Sequence, residues 1–236
     1  PLEPVEPRGT DNALYRLGDD MVVRLPRRAR TVMTLEKELA WLPGIAPFLP
    51  LAVPTPLATG APTDEFAWTW AVYSWLDGEN ATPARLADAR QTALDLAGFV
   101  AALQRIDTTG APGPGEHNFF RGESLERRDA GVRASIETLG DELDVAAVTE
   151  LWEAALDARA WDRPGVWIHG DLDSRNLLAD AGRLCAVIDW GSLGVGDPAC
   201  DVMVAWKVLT AEGRNAFRTA LSVDDARVVF AEDRRL

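Results

Sequence analysis

The period of apolar and polar positions changes several times along this chain. From Leu2 to Leu25 it is short and loosely two-fold: Ala13-Leu14-Tyr15-Arg16-Leu17 and Met21-Val22-Val23-Arg24-Leu25 flank Gly18-Asp19-Asp20, and Gly9-Thr10-Asp11-Asn12 precedes them. Alternation punctuated by Gly, Asp and Asn predicts strand, turn, strand, turn, strand. The period then lengthens. Leu35, Leu39 and Leu42 fall on one helical face, with Glu38 off it and Thr31 placed to cap the start. Pro43 is expected to stop this helix, and the Pro/Leu-rich stretch 43–62 to feed a strand. Phe66 to Leu76, rich in aromatic and β-branched residues, reads as that strand, closed by Asp77-Gly78-Glu79-Asn80. Helical spacing returns from Ala84 to Ile106, over Asp129–Leu139 and Val145–Ala160, and again over Ala199–Leu209 and Ala211–Leu221. His117-Asn118-Phe119-Phe120-Arg121-Gly122, after a Gly/Pro loop, takes no assignment.

Composition narrows the function classes. With 236 residues, 47% of them hydrophobic, the chain can build two packed lobes or one large domain. Its 24 Lys and Arg against 37 Asp and Glu give a net charge of −13, which argues against nucleic acid as a partner and is compatible with a cationic small molecule. Two cysteines, Cys185 and Cys200, in apolar contexts make no disulfide framework and suit a reducing cytoplasm. No apolar run reaches the length of a membrane span, and no signal peptide is visible. Two histidines are too few for a His-rich dinuclear hydrolase centre.

Two stretches carry chemistry. Trp167-Ile168-His169-Gly170-Asp171-Leu172-Asp173-Ser174-Arg175-Asn176-Leu177-Leu178 and Ala186-Val187-Ile188-Asp189-Trp190-Gly191 each deliver polar groups from an apolar, strand-like run. Singly, Asp171, Asn176 and Asp189 read as turn or helix caps. Together they supply one carboxylate to orient an acceptor hydroxyl, and an amide oxygen with a second carboxylate to hold Mg²⁺ beside substrate phosphates.

His169-Gly170-Asp171 with Asn176 five residues on, followed by Ile188-Asp189-Trp190-Gly191, resembles the catalytic and metal loops of the aminoglycoside phosphotransferase family, whose fold is similar to that of protein kinases. The resemblance implies an α+β, protein-kinase-like two-lobed fold: residues 1–76 as a small antiparallel-sheet lobe that binds nucleotide, and 77–236 as a larger, mostly helical lobe that binds acceptor. It implies transfer of the γ-phosphate of ATP or GTP, with Mg²⁺, to a hydroxyl of a small molecule such as an aminoglycoside, by a cytoplasmic monomer or homodimer. A kinase-like protein that binds nucleotide or ligand without turnover is the alternative. By the same resemblance Asp171 accepts the acceptor proton, Asn176 and Asp189 hold the metal, and Gly9, Thr10 and Asp11 cover the nucleotide. The backbone from Ser74 to Leu76 would meet the base. Arg24 stands where the family has a phosphate-contacting Lys, and Glu38, with Glu36 as its rival, would pair with it. Asp201 and His169 read as structural braces, Arg175 as a charge to offset Asp171, and Asp173 has no role. His117 reads as a loop residue or acceptor-pocket residue; Glu150, Glu153 and Asp157 as a solvated face or weak acceptor ligands. Family members continue with further helices, so a C-terminal truncation near Leu221 is expected.

Overall fold

A computed structural model of the chain describes residues 2–6, 11–158 and 160–221. Its elements are β1 (Leu2–Pro4), β2 (Asn12–Leu17), β3 (Met21–Pro26), α1 (Ala29–Ile45), β4 (Pro56–Gly60), β5 (Trp70–Ser74), β6 (Glu79–Asn80) and α2 (Ala89–Gln104). There follow α3 (Asp129–Thr138), α4 (Val145–Leu156), β7 (Val166–Ile168), β8 (Leu177–Asp180), β9 (Arg183–Val187), β10 (Gly194–Gly196), α5 (Ala199–Val202), α6 (Val204–Val208) and α7 (Ala211–Leu221).

The first five strands form one antiparallel sheet in the order β1-β2-β3-β5-β4. In the β3–β5 pair, Val22 lies opposite Tyr73 and Arg24 opposite Ala71, so these four side chains share one face. Helix α1 covers that face: Leu35 packs with Ala71 and Tyr73, flanked by Val22 and Leu39. The buried stripe of α1 includes Thr31, Thr34, Leu35, Glu38, Leu42 and Ile45. Glu38 therefore lies on the packed face rather than off it, because Leu39 is only half buried and the stripe is turned toward Thr31 and Thr34.

The same helix corrects two further expectations. It begins at Ala29 with Arg28 as N-cap, so Thr31 sits inside the first turn and does not cap. Pro43 lies inside the helix, exposed, without ending it. Leu42 and Ile45 on either side of it are 0% and 2% exposed in the second core, and their burial outweighs the hydrogen bond that proline cannot donate.

That second core is centred on α2, where Asp88 caps the first turn by accepting from the Gln91 N–H at 2.8 Å. Leu96, Phe99, Val100 and Leu103 of α2 pack with Trp167, Leu177, Val187, Trp190 and Phe217. Because α1 ends in this core, it joins the sheet to the helical part. The β7–β10 ribbon and the β6-β8-β9 sheet lie against the core and carry the two motif loops out of it. The strand expected over Phe66–Leu76 shortens to β5, and the helix over Ala199–Leu209 breaks at Met203.

Candidate active site

The catalytic loop leaves the core at Ile168, which pairs with Gly194 and has no exposed surface. Two consecutive backbone N–H groups then need partners. Asp201 supplies both: Oδ2 accepts from His169 at 2.7 Å and Oδ1 from Gly170 at 2.8 Å. Asp201 is fully buried, and that burial raises its pKa against the pull of His169 and the two N–H groups. The His169 ring pairs through Nε2 with the Ile188 carbonyl (3.0 Å) and sits edge-on to Trp190. Both residues are braces, as expected. Gly170 has φ +82°, and a Cβ there would lie 2.6 Å from the Ser192 carbonyl oxygen, so this turn requires glycine.

Asp171 follows, one-third exposed. The Asn176 amide donates to its backbone carbonyl (2.8 Å) and to its Oδ2 (3.2 Å). That leaves the Asn176 amide oxygen as the atom to offer a cation. The Ile188 N–H donates to the Asn176 carbonyl at 2.9 Å, which sets the second loop beside the first. Asp189 comes next, in a left-handed conformation (φ 60°, ψ 70°) that turns its carboxylate out of the core. It is 57% exposed and lies 3.5 Å from Nη2 of Arg24. Arg24 is the link to the sheet: Nη1 donates to both Glu38 oxygens, at 2.9 and 2.7 Å, in the buried layer between β3 and α1. Burial opposes the Arg24 charge, and the carboxylates of Glu38 and Asp189 outweigh it, so its pKa is raised. Glu36 is exposed, which leaves Glu38 as the partner.

Pairwise contacts thus link a carboxylate, an amide side chain, a second carboxylate and a braced guanidinium across the two motif loops and the β3–α1 layer. The family model described as the phosphotransferase enzyme family matches residues 3–235. The chain belongs to that family. Aminoglycoside 3'-phosphotransferases of Escherichia coli and Salmonella typhimurium are each 26% identical to it over 114 residues, 48% of this chain and 42% of theirs. The match thus spans less than half the length of these curated relatives. A solved structure described as the GDP and kanamycin complex of APH(2")-IIia superposes with a TM-score of 0.78 at 20% identity, covering 98% of this chain and 80% of that one. The macrolide 2'-phosphotransferase MphH from Brachybacterium faecium gives 0.66 at 26% identity, covering 94% and 75%. The fold is the protein-kinase-like α+β fold.

Within this phosphotransferase fold the remaining expected positions can be placed. Gly9 and Thr10 lie outside the described residues. Asp11 is held by Arg30 at 3.0 Å, and its carbonyl accepts from the Arg27 N–H. The N–H of Ser74 donates to the Thr55 carbonyl, its hydroxyl accepts from the Thr55 N–H, and the Trp75 N–H donates to Asp20. Those three groups have protein partners, and Leu76 follows them, half buried. Arg175 is committed first to Asp173, and the charge of Asp171 acts on it more weakly. Its backbone N–H, Nε and Nη2 all donate to Asp173, the last at 2.6 Å, and this closes a tight local turn. Asp173 thereby gains a role: it is nearly buried and shapes the loop between Asp171 and Asn176. The His117 ring pairs through Nε2 with the Gly113 carbonyl, and Glu150, Glu153 and Asp157 are exposed.

Among the described residues, no three or more His, Cys, Asp or Glu side chains gather as for a metal caged by protein alone. One amide oxygen and one exposed carboxylate suit instead a Mg²⁺ whose shell is completed by phosphate oxygens and water. One residue of the site has no signal in the sequence. Lys37, next to Glu38, is buried and its Nζ donates to the carbonyls of Gly191 (2.9 Å) and His117 (2.8 Å). Burial pushes its pKa down to about 7. Lys37 ties α1 to the loop that carries Asp189.

Proposed function

We propose that this chain transfers the γ-phosphoryl group of ATP or GTP to a hydroxyl of a small molecule. The observation that carries the proposal is the junction of Arg24 with Glu38 and Asp189. It joins a phosphate-binding cation of the sheet to the metal carboxylate of the helical part. Residues 1–76 would form the nucleotide lobe and 77–236 the acceptor lobe. Asn176 and Asp189 would hold Mg²⁺, which when bound neutralises phosphate charge. Arg24, fixed by Glu38, contacts phosphate oxygens; Gly9, Thr10 and Asp11 lie over the nucleotide, and the Ser74–Leu76 hinge lies beside its base. Asp171, held by Asn176, accepts the proton of the attacking hydroxyl. Catalysis is then positioning plus charge stabilisation.

The donor class is supported by similar structures described with GDP, ADP and ATP. The acceptor class is supported by relatives named for aminoglycosides and macrolides. No helix among the described residues is long and apolar enough to cross a membrane. A cytoplasmic monomer or homodimer, where ATP and reduced thiols prevail, fits the two free cysteines.

The test is thermal unfolding with ATP, GTP and ADP, each with and without Mg²⁺, followed by transfer assays to kanamycin and to a macrolide. A nucleotide that binds only the folded state raises the midpoint by mass action. Asp171→Ala should keep the Mg²⁺–nucleotide shift and lose transfer by at least about a hundredfold. Retained turnover in that variant would refute the role of Asp171, and no shift with any nucleotide would refute the proposal.

A further inference from the structure

The segment left unassigned in the sequence lies within Gly115 to Gly122, a stretch that holds two adjacent left-handed non-glycine residues and whose Arg121 reaches Asp171. Phe119 and Phe120 both have φ of 56°, two consecutive left-handed non-glycine residues. Each costs on the order of 1–2 kcal/mol. Such a conformation persists only where its surroundings fix it. Here they do. Asn118, fully buried, accepts from the Gly115 N–H (2.9 Å) and donates to the Arg121 carbonyl (3.2 Å). Arg128 donates to the Phe119 carbonyl, and the Arg127 guanidinium lies 3.4 Å from the centre of the Phe120 ring. Lys37 holds the His117 carbonyl. Gly122, at φ +76°, accepts through its carbonyl from the Asp197 N–H and lies so close that a Cβ would come 2.9 Å from the Gly196 Cα.

All this restraint serves to place Arg121. Its Nη2 lies 3.4 Å from Oδ1 of Asp171, the oxygen that Asn176 does not occupy. Its Nε is buried and has no partner among the described residues. A buried N–H donor without a partner is costly unless something outside the resting protein takes it up. The hydroxyl that attacks must approach Asp171 within hydrogen-bond reach, so the transferring phosphoryl group passes within a few ångströms of the Arg121 fork.

We propose that Arg121 is a charge-stabilising catalytic residue that contacts the phosphoryl group in flight, an arginine supplied in cis on a strained loop. The inference rests on the phosphotransferase reading above. In the step it serves, the acceptor oxygen forms a bond to the γ-phosphorus of the nucleoside triphosphate and the bond from that phosphorus to the β,γ-bridging oxygen breaks. The acceptor proton goes to Asp171, and the electron pair of the broken bond leaves with the nucleoside diphosphate. Negative charge on the three equatorial oxygens meets the guanidinium. An arginine in this role contributes about 10³–10⁵ in rate.

The experiment uses Mg²⁺–ADP, alone and with fluoroaluminate, a mimic of the planar phosphoryl group for which water serves as the second apical ligand. Thermal midpoints of the parent chain, Arg121→Gln and Arg121→Lys are compared. All three should gain equally from Mg²⁺–ADP. The added increment from fluoroaluminate should be full in the parent, reduced in R121K and absent in R121Q. A full increment in R121Q would overturn the proposal while leaving the phosphotransferase reading intact, as would a parent that gains from Mg²⁺–ADP but nothing further from fluoroaluminate. No gain from Mg²⁺–ADP in the parent would overturn that reading and the role of Arg121 with it. A low midpoint of R121Q without ligand does not blur the result, because R121K and the ligand increments are each referred to their own ligand-free state.

Discussion

Breaking the Arg24–Glu38 pair should separate folding from nucleotide binding. Glu38 has no exposed surface, Arg24 is 8% exposed, and two bonds of 2.7 and 2.9 Å join them. Changing Glu38 to Gln keeps the shape and one acceptor but leaves the guanidinium with a single carboxylate. That is Asp189, 3.5 Å away and more than half exposed, so it compensates weakly. Removing one partner of a buried pair costs about 3–5 kcal/mol, and the remaining Gln acceptor and Asp189 place E38Q near the low end, about 3 kcal/mol. That is a large share of a net stability of roughly 5–15 kcal/mol. Replacing both residues by Met should recover most of the loss, since the layer around them is Leu35, Ala71 and Tyr73 and an apolar pair needs no desolvated charge. The assay is urea unfolding of R24M, E38Q, E38M and the R24M/E38M double variant, each with and without Mg²⁺–ATP. The double variant should be more stable than the sum of its two single changes by about 2 kcal/mol or more, yet show no stabilisation by nucleotide. Additive losses, or E38Q within about 0.5 kcal/mol of the parent, would refute the argument that a buried charge is held here for phosphate binding.

Two further outcomes follow from buried groups. Asp201→Ala removes the acceptor of two buried N–H groups, so urea unfolding should show a loss of about 2–4 kcal/mol, and loss of transfer should accompany it because His169 and Gly170 position Asp171. For Lys37, burial lowers the folded-state pKa to about 7 from the ordinary 10.5. Between those values the unfolded chain holds the proton and the folded chain does not, so this group makes stability rise with pH across the window. Its contribution is complete above pH 10.5 and lost as pH falls through 7. Unfolding at pH 7 and pH 9 should show the parent gaining about 2 kcal/mol relative to Lys37→Met, and parallel profiles would refute the assignment.

The chemistry-bearing loops were legible because their information is local. Asp171 and Asn176 lie on one short loop, and Asp189 follows the β8–β9 hairpin directly after it, so a short spacing allows them to meet. Glu38 was legible only in part. Helical spacing favoured it over Glu36, but the face of α1 turned toward Arg24 is what excludes Glu36. Pro43 misled because the rule that proline ends helices is a statement about the backbone, and here the neighbours Leu42 and Ile45 are held by a core built mostly from residues beyond position 80. Asp173 had no role legible in the sequence because its partner Arg175 lies two residues away in a turn that only the folded loop shows.

Lys37 and Arg121 were out of reach of the sequence. Lys37 meets carbonyls 80 and 154 positions away, and Arg121 meets a carboxylate 50 positions away. Backbone carbonyls have no residue identity, so no pattern announces that a buried lysine will find two of them. A pair of phenylalanines likewise gives no hint of a left-handed turn, since that conformation is unfavourable locally and exists only because Asn118, Gly122 and Gly196 close around it. The sequence by itself pointed to the family and the fold through the resemblance of its two motif loops, and it placed Asp171, Asn176 and Asp189 on those loops, because that information is local. The tertiary structure decided which charges are paired and which donor is left waiting, because charge burial and backbone strain are properties of the packed whole.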